Sequence, residues 1–268
     1  MVRILILGFG RMGKCILTTA LKHGHEVVGV VESPESKDLG KDAGELAGVG
    51  RIGVTITSAE NLREVITKTQ PEVGVDFSRA NATLSNLPIL AEEGVNAVIG
   101  TTGFSEEDKR TITNIVRDSN IGVVFSPNMS IGVNVFWKII KEATKMLPDY
   151  DVEIVEIHHR FKLDSPSGTA LKTAEIIVNE RGLDIDKSLI YGRRGKRERT
   201  KEEIGIHALR AGDIVGEHIV LYATLGERLE FTHRAHSRDA FALGAIKAVE
   251  FIRGRKGMYE MSDVITSS

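Results

Sequence analysis

Cysteine is nearly missing from this chain: Cys15 is the only one in 268 residues. One thiol closes no intrachain disulfide, so the fold relies on its core, and a reducing compartment is the simplest setting. We read Cys15 itself as a small helix residue, not a nucleophile. No run of about 18 apolar residues occurs, which excludes a spanning helix. An excess of positive charge is absent too. Lys and Arg number 35 against 37 Asp and Glu, a formal charge of −2, unlike a dedicated binder of nucleic acid or anionic membrane. Aromatic residues make up only 5%, and none interleaves the charged stretch from Arg193 to Lys201, whose arginines are offset by Glu198, Glu202 and Glu203. That stretch reads as a solvated loop. Met1 to Leu7 is apolar but runs straight into glycine without a small-residue cleavage site, so we expect a strand, not a signal peptide, and a cytoplasmic protein. Small molecules or further copies of the chain are the expected partners.

What is present is a 41% hydrophobic composition and an excess of glycine, 27 residues where about 19 would be usual for this length. The length suits one large domain or two modest ones. Apolar runs and helical periods alternate through the first half. Arg3–Leu7, Glu26–Val31, Val73–Phe77, Ala97–Ile99 and Gly122–Phe125 read as buried strands. Helical spacing covers Met12–Lys22, Ala59–Lys68, Thr83–Glu93 and Ser105–Ser119. Such alternation predicts a parallel sheet covered on both faces, a Rossmann-type doubly wound fold. After Ser126-Pro127-Asn128 the organisation changes. An amphipathic helix over Gly132–Leu147, a strand over Asp151–Ile157 and a helix over Thr169–Arg181 precede strand-like runs at Ile204–Leu209, Ile214–Ala223 and Leu229–Thr232. Few helices interrupt these runs, which predicts a C-terminal α+β domain with an open mixed sheet. A last helix, Asp239–Arg253, could pack on either domain.

The glycines cluster where strands end. Gly8-Phe9-Gly10-Arg11-Met12-Gly13 follows the first strand and opens a helix, so its backbone can approach a pyrophosphate that meets free N–H groups and the helix dipole. Glu32, 19 residues beyond Gly13, ends the second strand, where an acidic side chain accepts from ribose hydroxyls. Its carboxylate repels a 2′-phosphate, and Ser33 rather than Arg follows it. Within NADH and NADPH as cofactors, we therefore expect a preference for NADH, softened by Lys37 in the same loop. Gly100-Thr101-Thr102-Gly103 and Ser126-Pro127-Asn128-Met129 end neighbouring strands and can pass close to a nicotinamide; tight turns are the alternative.

The densest polar stretch runs from Glu156 to Thr169. His158 and His159 are adjacent on an extended segment and point to opposite faces, so they do not readily share a metal, and we expect no metal site. Helix entry after Pro166 leaves Ser167, Gly168 and Thr169 in the first turn, with N–H groups and hydroxyls free for an anion such as a carboxylate. Lys162 and the two histidines make the stretch cationic and able to donate protons, which suits a small dicarboxylate that is protonated as it reacts.

At these residues the chain resembles the dihydrodipicolinate reductase family, also called 4-hydroxy-tetrahydrodipicolinate reductases, of the diaminopimelate route to lysine. The resemblance runs nearly end to end. It covers Gly10–Gly13, Asp42–Gly48, Gly100–Gly103, Asn128 with Ser130–Asn134, the His158–Thr169 segment and Arg210–His218. It implies His158 as the acid/base, Lys162 as the proton donor to the ring, and His159, Gly168 and Thr169 as carboxylate holders. The glycine loop, Glu32, Gly100–Thr102 and Ser126–Met129 become cofactor contacts. It further implies two hinged domains, residues 1–127 with 239–268 and residues 128–238, and a homotetramer built on the second domain's sheet. The last helix would then return to the nucleotide domain. Two other readings remain: an aspartate- or homoserine-type dehydrogenase, which leaves the His-His-x-x-Lys segment unexplained, and an inactive nucleotide sensor, which needs no proton donors.

Overall fold

A computed structural model describes residues 1–267. In chain order the elements are β1 Arg3–Leu7, α1 Arg11–Lys22, β2 Glu26–Glu32, α2 Ala43–Ala47, β3 Ile56–Ser58, α3 Leu62–Thr69, β4 Val73–Asp76, α4 Ala80–Glu92, β5 Asn96–Ile99, α5 Glu106–Arg117 and β6 Gly122–Phe125. There follow α6 Ile131–Met146, β7 Asp151–His158, α7 Gly168–Arg181, α8 Ile185–Ser188, β8 Leu189–Tyr191, β9 Ile204–Arg210, β10 Gly216–Thr224 and β11 Glu227–Ala235. The chain closes with α9 Asp239–Ile252, β12 Gly257–Tyr259 and α10 Met261–Thr266. It divides into two compact units, one formed by Met1–Ile131 and the chain from Arg238 onward, the other by Gly132–Ser237.

The first unit holds a seven-stranded sheet in the order β12-β6-β5-β4-β1-β2-β3, with every pairing parallel. Alternation along β1 shows why helices lie on both faces. Ile4 and Ile6 point into a core with Ile16 and Leu17 of α1 and Ala245, Ile246 and Val249 of α9. Leu5 and Leu7 point the other way, toward Leu62 and Ile66 of α3, Leu87 and Leu90 of α4, and Ile112 and Val116 of α5. A strand buried on both sides must be apolar throughout, which is why these strands read as continuous runs. α9, the helix that could have packed on either domain, belongs to this unit, and a further short helix, α10, follows it.

The second unit is built on a five-stranded mixed sheet, β11-β10-β7-β9-β8. There β10 runs antiparallel to β11 and β7, while β7, β9 and β8 are mutually parallel. Val152 and Ile154 of β7 face a core with Val133, Phe136, Trp137 and Ile140 of α6 and Ala170, Ala174 and Ile177 of α7. Polar groups in it are paired: the Trp137 indole donates to Thr173 at 3.0 Å, and Thr144 and Tyr222 share a hydroxyl contact of 2.6 Å.

The structure departs from expectation in two places. The short strands β3, β8 and β12 carry three residues each, too few to display a period. The strand expected from Ile214 starts at Gly216, because Gly212 takes a positive φ of 50° in a turn ahead of it. The charged stretch is an exposed loop, as expected, and its arginines are anchored at particular points. Glu203 is buried and pairs with Arg193 at 2.8 Å and with Arg197, while Arg193 and Arg199 reach Glu153 of β7 at 3.0 and 3.3 Å. Glu203, just after the stretch, and Glu153 on the sheet thus tether Arg193, Arg197 and Arg199 while the loop stays exposed.

Candidate active site

In the first unit, the C-terminal ends of parallel strands assemble a candidate nucleotide site. β1 lies between β2 and β4, where connections leave in opposite directions, the switch point at which such sheets bind ligands. Gly8 sits there with φ 87°; a Cβ on it would fall 2.8 Å from the Phe77 carbonyl oxygen. A Cβ on Gly13 would collide with the Gly8 carbonyl, whereas one on Gly10 would meet nothing within 4 Å. So Gly8 and Gly13 close the loop and Gly10 leaves its outer side open. α1 begins with no side-chain cap and no acidic residue in its first turn, and its first bond is Lys14 N–H to the Gly10 carbonyl at 3.1 Å. The N–H groups of Arg11, Met12 and Gly13 precede that bond, as a phosphate requires. Glu32 accepts from the Phe9 N–H and, at 2.9 Å, from the Ser33 N–H, tying the glycine loop to the end of β2.

Neighbouring strand ends are braced from within. Asp76 is buried and accepts from the Ser78 N–H at 2.9 Å, the Ser78 hydroxyl at 2.6 Å and the Thr101 hydroxyl at 3.1 Å. Burial raises its carboxyl above the ordinary value despite those bonds. Gly100 packs under the Phe77 ring, which leaves no room for a Cβ. Ser126 donates to the Asn128 carbonyl at 2.9 Å, Asn128 accepts from the Ser130 N–H at 2.9 Å, and Met129 is in the core. Gly8–Gly13, Glu32, Gly100–Thr102 and Ser126–Met129 therefore gather at adjacent strand ends. The side chains of Phe9, Thr101, Ser126 and Met129 are buried, so what these residues offer a ligand is backbone, while Arg11, Thr102 and Pro127 are exposed.

In the second unit, a separate polar group grows from the end of β7. His158 is the last residue of that strand and faces inward with Glu156, since both keep the register of Val152 and Ile154. Glu156 is fully buried. One oxygen meets His158 Nδ1 at 2.6 Å and Arg210 at 2.9 Å; the other accepts from the Ser167 N–H at 2.9 Å and Arg210 at 2.8 Å. Burial pushes this carboxyl up, but the bonds from His158, Arg210 and Ser167 outweigh it and bring Glu156 from 4.5 down to about 2. His218 lies edge-on to His158, ring centres 5.2 Å apart, with Nε2 3.1 Å from the Ser167 hydroxyl. Burial, then the nearby His158, lower it to about 3, so it is neutral at physiological pH.

Ser167 caps α7, accepting from the Ala170 N–H at 3.3 Å. Gly168 is exposed with nothing within 4 Å of a Cβ, and Thr169 follows half-buried, so the helix start stays accessible. Lys162 turns on a bond from its N–H to the His159 carbonyl at 3.1 Å, and its ammonium pairs with Asp164 at 2.8 Å. Arg210 also donates to the Asp164 carbonyl at 2.7 Å. His158, His159, Lys162, Ser167, Gly168 and Thr169 thus occupy one strand end, one turn and one helix start. Among the described residues no group of three or more His, Cys, Asp or Glu is placed to hold a metal, and no helix is long and apolar enough to cross a membrane.

The family model for the N-terminus of dihydrodipicolinate reductase matches residues 2–129, and that for its C-terminus matches residues 132–265. The chain belongs to the dihydrodipicolinate reductase family. It is 48% identical to a 4-hydroxy-tetrahydrodipicolinate reductase of Methanocaldococcus jannaschii, covering 99% of this chain and 97% of that one. It is 45% identical to the enzyme of that name from Methanothermobacter thermautotrophicus, covering 99% of each. Among solved structures it is similar to a dipicolinate-bound dihydrodipicolinate reductase from Paenisporosarcina sp. TG-14, with a TM-score of 0.76, 26% identity and 97% of each chain covered. As a member of this family the protein is an oxidoreductase that uses a reduced nicotinamide nucleotide, and the open start of α1 fits that group.

Four residues packed around His158 and Ser167 carry no expected role in the sequence: Glu156, Arg210, Gly216 and His218. Glu156 has a visible signal, a charge in the inward register of a strand whose other inward positions are Val152 and Ile154. Arg210, Gly216 and His218 belong to a motif that marks the family, but their contacts depend on pairing across the sheet.

Proposed function

We propose that the protein is a 4-hydroxy-tetrahydrodipicolinate reductase, forming tetrahydrodipicolinate from a cyclic dicarboxylate in the diaminopimelate route to lysine. The observation that carries this reading is one compact group in which imidazole, ammonium and an open helix start lie together, a set suited to a doubly negative ring. The Paenisporosarcina relative binds dipicolinate, a planar ring with two carboxylates. We assign nucleotide binding to residues 1–127 with 239–268, and substrate binding to residues 128–238.

The glycine loop, Glu32, Gly100–Thr102 and Ser126–Met129 would hold a reduced nicotinamide nucleotide, which would supply hydride to C4 of the unsaturated ring left once the C4 hydroxyl has departed as water. The first turn of α7, through Gly168 and Thr169, holds a substrate carboxylate with His159; Ser167, expected to share that role, is buried with its N–H on Glu156 and its hydroxyl on the cap and His218, so it sets where the turn begins. Lys162 leaves Asp164 and donates a proton to the ring carbon next to C4, quenching the enamine character that reduction creates. His158 exchanges a proton through Nε2, since Nδ1 is committed to Glu156. Positioned proton donation of this kind contributes about 10² to 10⁴-fold. Glu32 followed by Ser33 favours NADH.

We further assign the protein to the cytoplasm and to a homotetramer. Supporting the assembly, the sheet face turned away from α6 and α7 carries Val155, Ile157, Ile219 and Leu221, all part-exposed in the single chain. The test of activity is to mix purified protein and reduced nucleotide with the fresh condensation product of pyruvate and aspartate semialdehyde. Nucleotide absorbance should fall with this substrate and stay level in the reverse assay with oxidised nucleotide and aspartate or homoserine. Turnover of those amino acids alone would move the protein to the amino-acid dehydrogenases.

A further inference from the structure

We propose that Glu156 is a positioning residue of this site: its buried ion pair with Arg210 fixes the ring nitrogen of His158 that reacts, the turn that carries Lys162 and the start of α7. The inference rests on the roles given to His158 and Lys162 above.

A carboxylate is only an acceptor, and each oxygen of Glu156 already takes two partners. In neutral His158, Nδ1 must therefore carry the proton and Nε2 is left to exchange one. Space is kept on that side, since a Cβ on Gly216 would lie 3.0 Å from Nε2. The other oxygen of Glu156 holds the Ser167 N–H, so the same group that orients the acid/base also sets where the carboxylate-binding helix begins. Arg210 extends the frame to the Asp164 carbonyl beside Lys162, and the Ala211 N–H bonds the His158 carbonyl at 2.9 Å.

A buried ion pair is a poor way to gain stability alone, because desolvating two charges offsets much of their attraction. Apolar residues continuing Val152 and Ile154 would fill the same position. Glutamine is the informative replacement: its amide has one acceptor oxygen and donates from its nitrogen, so it cannot satisfy His158, Ser167 and both Arg210 nitrogens together.

The test is nitrogen-15 NMR of the histidine rings in the full-length protein, at a pH where His158 is neutral and with His158→Gln to assign its signals. We expect the wild-type His158 proton on Nδ1. Glu156→Gln should mix the two tautomers and lower kcat by about 10²-fold or more. The Kd for NADH should change by less than about twofold, and Glu156→Asp should recover part of the lost kcat. A wild-type proton on Nε2 would overturn the proposal, as would Glu156→Gln with an unmixed tautomer and near-normal kcat. If Glu156→Gln does not fold, the wild-type tautomer decides. If the wild-type protein fails to reduce the dicarboxylate while its tautomer is as expected, the functional reading fails and the Glu156–His158 arrangement stands.

Discussion

Lys162 can act as a proton donor only by giving up Asp164, whose carboxyl is held below its ordinary value because the lysine's hydrogen bond and charge outweigh burial. A substrate carboxylate arriving nearby competes for the same ammonium. Lys162→Ala should lower kcat by about 10² to 10⁴-fold and leave the Kd for reduced nucleotide nearly unchanged; lost nucleotide binding with normal turnover would contradict the assignment. At Glu32, kcat/KM measured with both nucleotides should favour NADH, and Glu32→Gln should narrow the difference. Glu156 makes a prediction about acid stability. Its folded value lies below its unfolded one, so its contribution is complete above about pH 4.5 and is lost as pH falls toward about 2. Urea midpoints followed down through that window should drop in the wild type, and the corresponding part of the curve should flatten in Glu156→Gln.

At the scale of elements, the glycine loop separates two uses of glycine. Gly13 is fixed by the nearness of the Gly8 carbonyl, whereas Gly10 faces open space with ordinary φ. Gly13→Ala should cost about 1 to 3 kcal/mol of stability through overpacking. Gly10→Ala should keep its thermal midpoint yet weaken NADH binding, because the new methyl group occupies the phosphate's approach. Equal loss of stability in both variants would mean that the loop is only a turn.

The strands that build the nucleotide unit were legible in sequence because burial on both faces makes them unbroken β-branched runs. The turn carrying Lys162 and the cap at Ser167 were legible because they are local. Arg210 and His218 were not, since their neighbours are set by register. Arg210 lies beside His158 in the β7–β9 pairing and His218 beside Glu156 in the β7–β10 pairing. Such pairs are about fifty to sixty residues apart in the chain, and no local pattern spans that distance.

For the whole molecule, the proposed function divides two tasks between the sheets: a parallel sheet whose strand ends would offer backbone to a nucleotide, and a mixed sheet that ends in charged, proton-bearing side chains. The outward face of that second sheet leads to the assembly prediction. Light scattering should give the mass of four chains, and Ile219→Lys, a charge in the middle of that face, should yield smaller species; a monomeric wild type would dismiss the tetramer. The chemistry itself is tested most directly by isotope. With nucleotide carrying deuterium at the transferred position, the product should hold deuterium at C4 of the ring and, in ordinary water, protium at the adjacent carbon. Run in heavy water with unlabelled nucleotide, the pattern should invert. Deuterium from water at C4, or none from the nucleotide anywhere on the ring, would contradict the account.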